Sequence, residues 1–426
     1  MKDKGILLKG GRVVDPGRNI DRIMDIGMKD GVICDPADLP DPEVTDVSGC
    51  VVTPGLIDVH VHLRQPGNTA AETIATGTMA AAAGGFTTIV AMPNTTPPAD
   101  NAGAIEYLRA QVAQKGCVRV LPCGCLTKGR AGTEMAGIGS LAAAGVAAFS
   151  DDGGCVQDHA LMRHLAEYIE SFHLPILDHC EDKSLAAGGV MHEGKWSVLL
   201  GMKGYSEAAE ELMVARDIIL SRMTGARFHI QHVSAKESVR LIAEARKERL
   251  PVTGEVTPHH IALTDECIKR YDTNFKMNPP LRSEADRKAL IEALASGVIT
   301  VIATDHAPHT DTAKMVEFDD APFGVIGLET ALPVCLSILY HGGVLTLPQL
   351  IAKFTTGPAE VLGLKRYDLR PGNPADVTVF DPERSYTVDP DDFRSKARNT
   401  PFAGRVCKGM VMRTYVGGKP VFLQDK

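Results

Sequence analysis

The chain has 426 residues, of which 44% are hydrophobic and 23% charged, so it can bury a large core as one big domain or two smaller ones. Its net charge of -8 argues against nucleic acid or an anionic membrane surface as the main partner, because a surplus of carboxylates attracts neither. A small polar molecule is the more reasonable ligand.

The apolar segments exclude a membrane span as well. All of them fall well short of the ~20 residues that a spanning helix needs. Lys9 interrupts the first short apolar stretch, so the start of the chain lacks the pattern of a signal peptide. The ten cysteines are scattered, and reduced thiols are the expectation for them. We therefore expect a cytoplasmic protein.

Both ends of the chain have the sequence pattern of an all-β structure. Short apolar stretches separated by Gly, Pro and Asp predict strands at 6–14, 23–28, 31–34, 44–52, 376–380 and 406–421. Neither end alone offers enough strands for a core. We therefore expect the two ends to pair into one small β-sandwich domain, made of residues 1–53 plus 367–426.

Short apolar strands alternate with helix-length segments through the middle of the chain, residues 54–366. The predicted strands are 56–62, 87–92, 118–123, 146–150, 175–179, 228–233, 252–257 and 300–304. Eight repeats of strand and helix are typical of an α/β fold, the (β/α)8 TIM-type barrel. Such barrels carry their chemistry at the C-terminal ends of the strands.

Two histidines stand two residues apart at the end of the first predicted barrel strand, in His60-Val61-His62. Side chains alternate between the faces of a strand, so both imidazoles point the same way and can bind one metal ion, with Arg64 following on that face. The alternative is one histidine in the core and one on the surface. Only ligands from other strands distinguish these interpretations.

Such ligands do follow the other predicted strands. The candidate metal ligands at the strand ends are His60, His62, Asp151 or Asp152, His179, His232 and Asp305. Each of them alone is more often structural, and an aspartate before two glycines also suits a turn. Gathered at one rim, however, buried carboxylates and imidazoles require a compensating cation.

The types of ligand select among metals. Imidazole and carboxylate without thiolate suit Zn²⁺, with Mn²⁺ or Co²⁺ as substitutes, and a carboxylate that bridges allows either one ion or two. A metal in such a site lowers the pKa of water toward ~7. The reaction class predicted from the residues is metal-assisted hydrolysis or its reverse.

Six segments at the strand ends resemble the cyclic amidohydrolases of the metal-dependent amidohydrolase superfamily, and most closely the long bacterial (class I) dihydroorotases. The resemblance spans the whole chain, and its motifs are residues 54–64, 92–95, 150–153, 178–182, 278–282 and 304–309. It implies that the chain closes N-carbamoyl-L-aspartate reversibly into L-dihydroorotate, for de novo pyrimidine (UMP) synthesis. Related hydantoin- and allantoin-cleaving enzymes, and a non-catalytic homologue acting as a scaffold, are the alternatives.

The resemblance also implies roles for the candidate ligands. His60, His62 and Asp305 would hold one zinc ion, His179 and His232 would hold a second, and Asp152 would bridge the two. Several relatives have a carboxylated lysine at the bridging position, whereas the strand-four motif here has none, which favours the long dihydroorotases and leaves open one or two Zn²⁺ per subunit. Asp305 would be the catalytic base.

Substrate contacts and partners follow from the same resemblance. Arg64 and Asn94, helped by His309, would hold the substrate carboxylate, while Asn278 and the backbone of Phe323 and Gly324 would bind the ring amides. His62 would contact the substrate in addition to the metal. A homodimer and association with aspartate carbamoyltransferase are further expectations.

Overall fold

The computed structural model describes residues 4–424. Its strands are β1 (Ile6–Lys9), β2 (Arg12–Asp15), β3 (Ile20–Ile23), β4 (Ile26–Lys29), β5 (Val32–Cys34), β6 (Glu43–Asp46), β7 (Val51–Pro54), β8 (Leu56–Val61), β9 (Phe86–Ala91), β10 (Arg119–Gly124), β11 (Ala148–Phe149), β12 (Ile176–Asp178), β13 (Met191–His192), β14 (Gly204–Tyr205), β15 (Phe228–Ile230), β16 (Val252–Val256), β17 (Val301–Ile302), β18 (Val377–Thr387), β19 (Val406–Val416) and β20 (Lys419–Leu423).

The α-helices lie mainly between the strands of the central part. They are α1 (Ile74–Ala83), α2 (Ala102–Lys115), α3 (Ile138–Ala143), α4 (His159–Glu170), α5 (Lys183–Ala186), α6 (Lys195–Leu200), α7 (Ala208–Thr224), α8 (Lys236–Lys247), α9 (Pro258–Ala262), α10 (Glu284–Ser296), α11 (Asp311–Lys314), α12 (Ala331–Cys335), α13 (Leu347–Phe354) and α14 (Thr356–Leu362). Polar side chains fix the starts of several of them. Asn101, Asp158 and Ser283 accept hydrogen bonds from backbone N–H groups in the first turns of α2, α4 and α10.

Eight parallel strands form the central barrel, and every one of the strands predicted there is present. Their order in the sheet is β17-β16-β15-β12-β11-β10-β9-β8. The two edges meet just beyond β17, where the N–H of His62 donates to the carbonyl of His306 at 2.9 Å. This confirms the (β/α)8 barrel, and it places the C-terminal ends of all eight strands at one rim.

The two chain ends share a pair of sheets beside the barrel, which confirms the expected sandwich. One sheet has the order β20-β19-β18-β7-β2-β3 and so mixes strands from both ends, and the other has the order β5-β4-β1-β6. Apolar side chains from both sheets, including Leu8, Met28, Val52 and Val379, pack into one buried cluster. The domain boundaries at 53/54 and 366/367 stay a prediction, and residues 1–3 and 425–426 lie outside the described part.

The single strands expected over residues 6–14, 23–28 and 44–52 are wrong, because each range contains parts of two strands that belong to different sheets: β1 and β2, β3 and β4, and β6 and β7. The strand expected over 406–421 is divided into β19 and β20. In the first range the break is at Gly10, whose φ of 77° is in the left-handed region and whose N–H donates to Asp25 Oδ1 at 2.8 Å. Separately, within residues 4–424 no helix combines the length and the apolar character required to cross a membrane.

Candidate metal centre and active site

The two histidines at the end of β8, His60 within the strand and His62 directly after it, are buried at the barrel rim and face a common carboxylate. His60 is fully buried, and His62 is 4% exposed. The Nε2 atoms of His60 and His62 lie 3.2 and 3.3 Å from the two carboxylate oxygens of Asp152. The alternation of side chains along the strand therefore brings both imidazoles to one point, as the spacing predicts.

The two neighbouring aspartates after β11 have different environments. Asp152 lies among histidines, whereas Asp151 turns to the adjacent loop. One oxygen of Asp151 accepts from the backbone N–H groups of Leu126 and Thr127 at 2.9 and 3.1 Å, and the other accepts from the Thr127 hydroxyl. These hydrogen bonds occupy the Asp151 carboxylate and leave Asp152 as the carboxylate that faces the histidine cluster.

His179 and His232 approach Asp152 from the other side. Nδ1 of His179 is 3.6 Å from Asp152 Oδ1, and Nε2 of His232 is 4.0 Å from it. These two imidazole nitrogens are only 2.7 Å apart. Both rings are buried, so β12 and β15 each deliver one nitrogen to the same point of the rim.

Asp305 completes the cluster from the end of β17. Its Oδ1 lies 3.1 Å from His62 Nε2 and 3.4 Å from His60 Nε2. Asp305 has a φ of 48°, and His232 and Arg64 have values of 32° and 57°. Side chains other than glycine rarely adopt such backbone conformations, and this strain is typical of functional sites, where the surrounding fold holds it in place.

Two carboxylates orient His60 and His179 through the ring nitrogens that do not face Asp152. Glu255 of β16 is fully buried, and its Oε1 lies 2.7 Å from His60 Nδ1. Glu181 Oε2 lies 3.1 Å from His179 Nε2. In each case the carboxylate accepts the N–H of one ring nitrogen, so the other nitrogen faces the cluster as an acceptor.

The residues expected to bind substrate surround an open pocket above this cluster. Those that line it are His62, Arg64, Asn94, Asn278, His309, Phe323 and Gly324. Asp152, His179, His232 and Asp305 line the same pocket, while His60 is fully buried. The structure therefore brings all the residues predicted from sequence to one place.

Hydrogen bonds fix several of these pocket side chains. His62 Nδ1 donates to Asn94 Oδ1 at 2.8 Å, and Asn278 Nδ2 donates to Glu181 Oε2 at 2.7 Å. His309 Nε2 donates to the carbonyl of Phe323 at 2.8 Å. Burial and the nearby Arg64 guanidinium lower the pKa of His309 to about 3, so its imidazole is neutral at physiological pH.

Comparisons with known proteins agree with this geometry. A family model described as dihydro-orotase-like matches residues 49–238. The chain is 51% identical to the dihydroorotase of Pelotomaculum thermopropionicum over 424 residues, which are 99% of each chain. The chain belongs to the dihydroorotase family. It is also 49% identical to the dihydroorotase of Solibacter usitatus over 97% of each chain.

A solved structure gives the same fold. The L-hydantoinase (dihydropyrimidinase) of Arthrobacter aurescens superimposes with a TM-score of 0.89 at 26% identity. The alignment covers 100% of this chain and 97% of the hydantoinase. The barrel and the chain-end sheets are therefore an architecture that this dihydroorotase family member shares with a hydantoinase.

The cluster of this family member fits a metal cofactor. Three overlapping sets of donor atoms each lie within 4.8 Å of one another: His60, His62 and Asp152; His60, His232 and Asp305; and Asp152, His179 and His232. Among the described residues, Nε2 of His60 is buried with no hydrogen-bond partner. A buried imidazole nitrogen that makes no hydrogen bond and faces carboxylates is a suitable ligand for a metal cation.

The charges around this cluster favour a cation as well. Burial alone raises the pKa of Asp152, but the surrounding histidines outweigh burial and hold that pKa well below its usual range. Burial lowers the pKa of His60, but Asp152, Asp305 and Glu255 outweigh it and raise that pKa well above its ordinary value. Positive charge is thus stabilised at the point where the ligands converge.

Sequence reasoning missed the orienting carboxylates Glu181 and Glu255. Glu181 stands in a motif that the sequence singles out, but nothing assigns it to His179 before the fold is known. Glu255 does leave one signal in the sequence. A charged residue inside the short apolar strand Val252–Val256 has to be paired, because burying an isolated carboxylate is costly.

Proposed function

We propose that this chain is a metal-dependent dihydroorotase, which catalyses the reversible cyclisation of N-carbamoyl-L-aspartate to L-dihydroorotate in de novo pyrimidine synthesis. The observation that carries the proposal is the convergence of four histidines with Asp152 and Asp305 beneath a pocket that contains Arg64. Dihydroorotase relatives that are 51% and 49% identical over nearly the full length support the same activity.

The proposed cofactor is Zn²⁺, with one or two ions per subunit. His60, His62 and Asp305 would hold one ion, and His179 with His232 would hold a second. Asp152, whose oxygens lie between the two pairs of histidines, would contact both. When bound, the metal supplies Lewis-acid polarisation of the reacting carbonyl and makes water acidic enough to react near neutral pH.

Asp305 is the proposed proton carrier. In the hydrolytic direction, a C–O bond forms between water and the ring carbonyl carbon, and the ring C–N bond breaks. Asp305 takes the proton of the attacking water and delivers it to the leaving nitrogen. Its Oδ1, 3.1 Å from His62 Nε2, lies at the lining of the substrate pocket, where both transfers have to occur. Cyclisation uses the same groups in reverse.

Arg64 and Asn94 are the proposed site for the substrate carboxylate. Arg64 donates from Nε to the carbonyl of Pro308 at 3.1 Å, which fixes the plane of the guanidinium so that its terminal nitrogens can form a bidentate contact. Asn94 Oδ1 accepts from His62 Nδ1, so its Nδ2 is the group that can donate to a carboxylate. His309 would complete the wall beside them.

The ring amides would meet Asn278 and the backbone of Phe323 and Gly324. Asn278 donates to Glu181, which fixes the orientation of its side-chain amide, and Asn278 Oδ1 is buried without a hydrogen-bond partner among residues 4–424. A ring N–H of the substrate would satisfy that acceptor. The backbone of Phe323 and Gly324 is the proposed second contact.

A substrate panel tests this function against cleavage of other cyclic amides. We expect turnover of L-dihydroorotate and of N-carbamoyl-L-aspartate, with kcat/KM for hydantoin and allantoin lower by at least ~10²-fold. The reason is that a substrate without the carboxylate leaves the Arg64 guanidinium unpaired in a site built to bind it. Preference for hydantoin or allantoin over dihydroorotate would contradict the assignment.

A homodimer is the proposed assembly. Two adjacent exposed apolar side chains on α6 support an interface: Val198 and Leu199 are 81% and 63% exposed. Association with aspartate carbamoyltransferase and a cytoplasmic location stay predictions.

A further inference from the structure

A loop from the chain-end sheets reaches the rim of the barrel. It connects β18 to β19, and its middle part is held by two glutamates of the barrel. The backbone N–H groups of Arg394 and Ser395 donate to Glu329 at 2.8 to 3.0 Å, and the N–H of Lys396 donates to Glu72 at 3.3 Å. The loop is therefore fixed to the barrel immediately before it arrives at Asn399.

Asn399 uses both N–H donors and the carbonyl oxygen of its side chain within the wall of the substrate pocket. It is 3% exposed. Its Nδ2 donates to the carbonyls of Ala307 and Gly324, both at 3.1 Å, and its Oδ1 accepts from the N–H of His309 at 3.1 Å. Its backbone carbonyl also accepts from the N–H of Ile326 at 3.0 Å.

The two backbone segments that Asn399 joins lie very close together. Gly324 has a φ of 128°, and a Cβ on it would lie 2.8 Å from the Cβ of Ala307 and 3.0 Å from His309 Nε2. A side chain larger than hydrogen would therefore push the segments apart. His309 adds a second link between them through its hydrogen bond to the carbonyl of Phe323 at 2.8 Å.

We infer that Asn399 is a positioning residue for substrate binding, which sets the distance between His309 and the backbone of Gly324. The inference rests on the proposed function, in which His309 lies beside the groups that bind the substrate carboxylate and the backbone of Gly324 contacts the ring amides. An amide suits the position because it offers two N–H donors to two carbonyls and one acceptor to an N–H. Among the described residues, no hydrogen bond joins Asn399 to a proposed metal ligand.

The test compares Asn399→Asp and Asn399→Ala with the wild-type chain in kcat, KM and metal content. Aspartate keeps the acceptor for His309 but places a carboxylate oxygen against two carbonyl oxygens. We expect KM for L-dihydroorotate to rise at least ~10-fold in both variants, since the wall loses its spacing, with kcat changed less than ~3-fold and metal content unchanged. A role in stability alone would lower the active fraction without raising KM.

Asn373→Ala is the matched control. Asn373 also donates from its side chain to a backbone carbonyl, that of Asp368 at 3.2 Å, but its backbone pairs with Ile33 of β5 and it does not line the substrate pocket. This control should keep the wild-type KM. An unchanged KM in both Asn399 variants of an active wild type overturns the inference alone. A wild-type chain that is inactive on both proposed substrates overturns the proposed function and the inference with it.

Discussion

Replacing Asp305 with asparagine is expected to lower turnover of L-dihydroorotate and N-carbamoyl-L-aspartate by at least ~10²-fold. Asparagine has nearly the same shape but cannot take a proton from water or return it to the leaving nitrogen, and positioned proton transfer contributes ~10² to 10⁴-fold. Four histidines and Asp152 remain, so at least part of the metal should stay bound. Steady-state kinetics and metal analysis of the purified variant measure both effects.

Asp311→Asn is the control for this variant. It makes the same chemical change six residues further along the chain, at an exposed position at the start of α11, and should keep wild-type turnover. Near-full turnover by Asp305→Asn would show that another group carries the proton. Loss of all metal from that variant would show that its lost turnover reports the role of Asp305 in holding the metal and not its proton transfer.

Replacing Glu255 with glutamine is expected to weaken metal binding by ~10 to 100-fold, although Glu255 contacts no substrate-binding residue among those proposed. The carboxylate accepts from His60 at 2.7 Å and from His229 at 3.0 Å, and it fixes the tautomer that points His60 Nε2 at Asp152. Removing such an orienting carboxylate typically has an effect of this size. Competition with a chromogenic chelator measures the affinity.

The activity of Glu255→Gln should recover when metal is added in excess, because the ligands themselves are intact. Glu106→Gln, on the exposed face of α2, makes the same change without touching the site and should bind metal as the wild type does. Wild-type metal affinity in the Glu255 variant would contradict an orienting role. Unfolding of the variant at 25 °C would show that the carboxylate acts on stability instead.

The barrel could be predicted from sequence because its signal is local. Each strand is a short apolar run that ends in a polar cluster, and residues two apart on a strand share a face, so His60 and His62 could be placed together before the fold was known. The chain-end sheets were less predictable. Gly10 lies between two short apolar runs, and the sequence around it does not indicate that β1 and β2 belong to different sheets.

The groups that support the site depend on contacts between distant parts of the chain. Glu255 lies 195 positions from His60 in the sequence, and Asn399 lies 90 positions from His309. The sequence around Glu255 or Asn399 does not indicate which residue either side chain contacts. Similarly, Asp151 and Asp152 are equivalent in sequence, and only the loop hydrogen bonds from Leu126 and Thr127 distinguish them.

Metal analysis combined with turnover of N-carbamoyl-L-aspartate tests the central claim most directly. The measurement is made at mildly acidic pH, because ring closure of the carboxylate form takes up a proton. We predict one or two zinc ions per subunit, loss of cyclisation after chelation and recovery when Zn²⁺ is restored. Undiminished cyclisation by protein that holds well under one metal ion per subunit would contradict the account.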